Sequence, residues 1–132
     1  MNVRRMMARI MGGIFRALGI VGPAAAEGTW TSYISNWYEG RESRQWIDKN
    51  VDNTDGWAAF RRCSHNDFRI TVYKEDFGPD TNVGTETMQC KKGDSQDADR
   101  VYFGDPGADE YHFTLKSSVS GGLDVEEVQV TY

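Results

Sequence analysis

The chain has 132 residues, 39% hydrophobic and 27% charged, which suits one small domain. Fifteen basic residues face 20 acidic ones, a formal net charge of −5. That balance repels phosphate backbones and excludes proteins that hold nucleic acid by charge.

Residues 1–26 read as a secretory signal peptide. Arg4, Arg5 and Arg9 form a basic start, Ile10 to Val21 is mostly apolar, and Ala24-Ala25-Ala26 supplies the small residues of a cleavage site. Arg16 interrupts the apolar stretch, as a basic surface helix would allow, but Gly12, Gly13, Gly19 and Gly22 disfavour a helix. The expected mature protein is therefore a single secreted domain, residues 27–132. With the four leader arginines gone, 11 basic residues face 20 acidic ones, a net charge of −9. Such a surface favours a partner with a basic surface. No later stretch is apolar for the ~20 residues of a membrane span.

The mature part opens on a strand expected at Thr29–Ser35, inside the densest aromatic run of the chain. Trp30, Tyr33, Trp37, Tyr38, Trp46 and Trp57 include every tryptophan of the protein. Trp30 and Trp57, placed in strands, are expected in the core. Trp37 and Tyr38 flank Glu39-Gly40 in an expected loop; with Tyr33 and Trp46 they are the candidate partner-binding residues, as anchors for a protein or stacking faces for a sugar. Next, Asp48-x-Asn50-x-Asp52 offers oxygen ligands at alternate positions, with Asp55 as a fourth. The EF-hand glycine and closing glutamate are missing, so calcium competes here with a plain solvated turn. Asp94, Asp97 and Asp99 form a second acidic cluster of the same kind.

From Trp57 onward, period-two alternation replaces helical periodicity. Strands are expected at Trp57–Cys63, around Phe68-Ile70-Val72, at Gly84–Cys90, at Arg100–Phe103, through Tyr111-Phe113-Leu115, and at the C-terminus. There, Leu123 and Val125 share one parity while Val128, Val130 and Tyr132 share the other, which predicts a β-bulge at Glu126-Glu127. Asn53-Thr54-Asp55-Gly56, Gly78-Pro79-Asp80, Lys92-Gly93-Asp94, Gly104-Asp105-Pro106-Gly107 and Gly121-Gly122 are the turns. Seven or eight short strands predict an all-β fold, an antiparallel jelly-roll-like β-sandwich, with a small barrel as the alternative. Cys63 and Cys90, an even pair in an exported domain, predict one disulfide between neighbouring strands or between the sheets.

The pattern Trp30-Thr31-Ser32-x-Ile34, then Ser43-Arg44-x-Trp46-x-Asp48-x-Asn50-x-Asp52, then two separated cysteines, resembles a group of small exported actinobacterial proteins. Tyr111-His112-Phe113-x-Leu115 and Val128-x-Val130-x-Tyr132 fit the same group. In size, leader, disulfide and lack of catalytic motifs the chain is also similar to the adaptor subunit of the umbrella toxin particles of Streptomyces-type bacteria. That resemblance implies an adaptor joining a lectin-like subunit to a large toxin subunit, and it carries over no contact residues.

His65 and His112 are the only histidines, and no catalytic motif surrounds either. The expected function is a secreted, non-catalytic protein–protein adaptor without an obligatory cofactor. The alternatives are a carbohydrate-binding module, an inhibitor presenting a loop such as Asp67 or Gly78-Pro79-Asp80, and, last, a small hydrolase using His65 or His112.

Overall fold

The computed structural model describes residues 28–49 and 54–132. The leader reading and Asn50 and Asp52 of the calcium reading lie outside these residues. Among the described residues there are eight strands and no helix: β1 (Thr29–Trp37), β2 (Trp46–Asp48), β3 (Gly56–Cys63), β4 (Asn66–Lys74), β5 (Thr81–Gln89), β6 (Ala98–Gly104), β7 (Asp109–Leu115) and β8 (Leu123–Thr131). They form two antiparallel four-stranded sheets of order β1-β8-β3-β6 and β2-β7-β4-β5. Consecutive strands pass between sheets at every step but one, the β4–β5 hairpin, and the last strand returns beside the first. This is the wrapped connectivity of a jelly roll.

Alternation builds the core. Ala58 and Phe60 of β3, Phe68, Ile70 and Val72 of β4, Phe113 and Leu115 of β7, and Val128 and Val130 of β8 are all buried between the sheets. Phe60 meets Phe68 and Phe113 edge-to-face, at 6.5 and 5.2 Å between ring centres. Trp46 is within 6.2 Å of the Trp30, Phe103, Tyr111 and Tyr132 rings. The predicted bulge is present: Ser32 pairs with Val128 and Ile34 with Val125, so one residue of β1 between the pairs, Tyr33, faces two of β8, Glu126 and Glu127. The extra residue at Glu126-Glu127 lets Val125 and Val128 both face inward despite their opposite parity.

Two placements differ from expectation. Trp57 does not enter the core; it pairs with Tyr102 of β6 on the outer face, where Arg100 lies 4.3 Å over its ring. Small Ala58 and large Phe60 take the inward positions of β3, so Trp57, Ala59 and Arg61 face out. His112 lies on the outer face of its strand, as alternation requires, but it is buried there beneath Glu75, Glu42 and the stacked Tyr73 ring.

Cys63 and Cys90 form the disulfide, with their Cα atoms 5.3 Å apart. Cys63 ends β3 in one sheet and Cys90 follows β5 in the other, so the bond clamps the two sheets together. Backbone hydrogen bonds Cys63 N–Cys90 O (2.8 Å) and Lys92 N–Cys63 O (2.7 Å) reinforce it. The same flank closes by contact between β5 and β6. A Cβ on Gly84 would lie 2.4 Å from the Tyr102 carbonyl oxygen, and Gln89 N donates to Asp99 Oδ2 at 2.9 Å.

Replacing Cys63 and Cys90 together with alanine frees a 27-residue separation in the unfolded chain. The expected loss is about 3.5 kcal/mol, measured by urea denaturation. By comparison, Phe60→Ala should cost about 3–5 kcal/mol by opening a cavity at the centre of the ring cluster.

Candidate functional site: an open sheet edge

Among the described residues the flank opposite the disulfide is not closed. There β1 is hydrogen-bonded on one side only, to β8. Gly28 and Tyr132 exchange both backbone hydrogen bonds, Gly28 N–Tyr132 O at 2.7 Å and Tyr132 N–Gly28 O at 2.9 Å. In an antiparallel ladder such pairs alternate, so Trp30 and Ser32 also turn their backbone groups toward β8, whereas Thr29 and Thr31 turn theirs away. No backbone partner occupies that outer side among the described residues.

The composition of this edge is unusual. Thr29–Trp37 is TWTSYISNW: nine residues with no charge and no proline, in a chain that is 27% charged. Sheet edges are ordinarily protected by lysine, proline, shortness or cover. The other three edges follow that rule: β2 has three residues and ends in Asp48, while β5 and β6 cover one another. Only the bulges near Ser32–Ile34 and Asn36 interrupt β1.

Beside the edge lies a slot of about 140 Å³, walled by Trp30, Ile34, Trp37, Phe113 and Val128 and faced by Glu42, Ser43 and Arg44. The 38–45 connection crosses here without pairing to β1. Gly40 N donates to Leu115 O and Ser43 N to Phe113 O, both at 2.8 Å, and Leu115 N returns a bond to Arg41 O at 3.0 Å. The connection is thus anchored to β7. Arg44 and Arg41 lie 5.1 and 5.7 Å over the Trp30 and Trp37 rings. The indole Nε1 of Trp30 is buried without a hydrogen-bond partner.

These placements divide the candidate partner-binding residues. Tyr33, at the slot, is 70% exposed, and Tyr38, which follows β1, is 52% exposed. Trp37 and Trp46, expected as surface anchors, are only 9% and 2% exposed and belong to the core. Trp37 is the last residue of β1 rather than part of a loop, and Trp46 opens β2, a strand hidden in the sequence by its three-residue length. A flat Trp37–Tyr38 sugar platform therefore does not form. The slot itself was not foreseen, because it joins β1 to residues 42–44 and Phe113.

Other expected sites resolve differently. Asp48 is buried opposite Asp109, while Asp55 is exposed. Among the described residues no group of three or more metal-binding side chains assembles. The carboxylates of Asp94 and Asp99 accept hydrogen bonds from Asn66 Nδ2 and from the Gln89 and Arg100 amides, and the backbone carbonyl of Asp97 accepts from Arg62 N. His65 Nδ1 is 2.7 Å from Ser64 Oγ, and His112 Nδ1 is 2.8 Å from Glu75 Oε2. Among the described residues no hydrogen-bonded chain links a hydroxyl, a histidine and a carboxylate. The turn Gly78-Pro79-Asp80 lies at the far end of β5 from the disulfide and presents Phe77 fully to solvent; Asp67, beside the bridge, is engaged by Gln89 Nε2 at 2.6 Å.

Charge is unevenly spread. At the end where β2, β4 and β6 finish, Asp55, Asp76, Asp80, Asp105 and Asp109 outnumber Lys49 and Lys74. Tyr111 reports this field from inside: its phenol is buried, donates to the Gly107 carbonyl, and has its pKa pushed up, first by burial and then by Asp48, Asp109, Asp105 and Asp76. At the opposite end Glu126 is held below the usual glutamate range by hydrogen bonds from Lys92 (2.5 Å) and Arg62 (2.9 Å), and the Arg62 guanidinium is raised in return.

Compared with known proteins, the chain matches no family model and no curated protein sequence.

The two shifts predict opposite pH responses. A raised phenol pKa stabilises the fold fully below the ordinary tyrosine range of about 10, and that contribution is lost as pH rises through it. Tyr111→Phe should therefore flatten the alkaline fall in urea midpoint. A lowered carboxylate pKa contributes above the ordinary glutamate range and is lost as pH falls. In a carboxylate NMR titration, Lys92→Ala should move the Glu126 midpoint upward.

Proposed function

We propose that this protein is a secreted, non-catalytic binding module that captures an extended segment of a partner protein along the open edge of β1. The observation that carries the reading is the nine-residue, uncharged, unprotected strand edge beside an aromatic slot. An added strand gains main-chain hydrogen bonds from the outward groups of Thr29 and Thr31, while an apolar side chain of the partner fills the slot. Tyr33 at the slot, with the exposed Tyr38 after β1, gives rigid contact area at low entropic cost.

The acidic end would attract a partner with a basic surface and raise the association rate in a salt-dependent way. The disulfide is compatible with an extracellular location. An adaptor role within an extracellular, toxin-type complex agrees with this mode, since an adaptor needs a partner surface and no chemistry of its own.

Affinity capture from culture supernatant with the tagged secreted protein, at low and high salt, tests this reading. One stoichiometric protein is expected, recovered less well at high salt. Thr31→Pro removes an outward donor while sparing the bonds to β8. It should abolish capture with the urea midpoint nearly unchanged. Recovery of no stoichiometric partner at either salt concentration would refute the proposal.

A further inference from the structure

A second surface has the features of a ligand site, and it lies on other strands than the β1 edge. On the outer face of the first sheet the register sets Trp57 opposite Tyr102, Ala59 opposite Arg100 and Arg61 opposite Ala98. Ala59 is the low point. Longer side chains surround it so closely that it is 1% exposed although it faces outward. Above it is a depression of about 240 Å³, lined by Arg61, Ala98, Asp99, Arg100 and Tyr102.

Two guanidinium groups border this depression as diagonal neighbours on adjacent strands, where side chains of like charge repel. Among the described residues neither Arg61 nor Arg100 forms a salt bridge, although the chain holds 20 acidic residues against 15 basic ones. Asp99, which also lines the depression, accepts from the backbone amides of Gln89 and Arg100, and Glu127, opposite Arg61 on β8, pairs with Arg62 at 3.5 Å. Arg100 is also held in place by stacking over Trp57. The arrangement sets two arginines that form no salt bridge among the described residues at one depression, beside the exposed Tyr102.

We propose that this depression binds a carboxylate-bearing sugar, a uronate unit of an acidic saccharide. Arg61 and Arg100 take the carboxylate, for which the planar guanidinium is suited. The Tyr102 ring covers one face of the pyranose. The volume admits about one ring, and β3 is paired on both sides, so an extended peptide gains no main-chain bonds here.

The test is titration of the secreted protein with trigalacturonate, followed by NMR of the Trp57 indole and Tyr102 signals. The controls are the fully methyl-esterified trisaccharide, sodium sulfate and triglutamate. Trigalacturonate should shift both signals saturably, and the ester should bind roughly tenfold more weakly or worse, since it keeps the rings and loses the charge. Arg61→Gln and Arg100→Gln should each weaken binding by a similar factor. The ester comparison uses the unaltered protein and does not depend on how the variants fold. Absence of shifts, equal binding of the ester, or equal or tighter binding of sulfate or triglutamate would each overturn the assignment. Partner capture through β1 should be unaffected by either arginine change.

Discussion

The continuous layer of aromatic rings between the two sheets is the contact on which the rest of the structure depends. Trp46 joins Trp30, Phe103, Tyr111 and Tyr132, and Phe113 joins Trp30, Trp37 and Phe60. A domain of this size has few large side chains with which to exclude water from a sandwich interior about 10 Å thick. Three of its four tryptophans are consumed for that purpose, wholly or in part. What is left for the surface is mainly tyrosine, along with Trp57 and its stacked arginine. The core therefore decides which aromatics can act on a partner.

The second constraint is the asymmetry of closure. One flank is shut by the disulfide, by the approach of β5 to β6 at Gly84, and by the Gln89–Asp99 hydrogen bond. Among the described residues the other is spanned by the 38–45 connection, whose backbone is tied to β7 and not to β1. An uncharged nine-residue strand exposed at that flank costs the protein protection against unwanted pairing. The proposed partner capture would give a physical reason for that exposure. The bulges in β1 limit the paired length, so the usable template is short and centred on Thr29–Thr31.

Electrostatics adds direction. Carboxylates collect at one end, around the buried phenol of Tyr111, whereas at the other Arg62 and Lys92 are satisfied by Glu126 and Glu127. Those exposed pairs contribute little to stability. Against this background Arg61 and Arg100 stand out as cations that form no salt bridge among the described residues.

Much of the fold is legible in the residues alone. Period-two alternation in Phe68-Ile70-Val72 and Tyr111-Phe113-Leu115 determines strands and their inward faces, because only one parity can be buried. The parity change in the last strand determines a bulge at Glu126-Glu127 for the same reason, and an isolated pair of cysteines determines the disulfide. Tertiary structure alone decides the rest. Trp46 lies in a strand too short to show a period, so only the packing of β2 on β7 reveals that it is buried. Whether Trp57 faces in or out depends on the opposite parity of Phe60, a choice made by the volume available between sheets. The open edge of β1 and the Arg61–Arg100 pair arise from strand neighbours distant in sequence. No local pattern encodes which edge remains unpaired or which two arginines become neighbours.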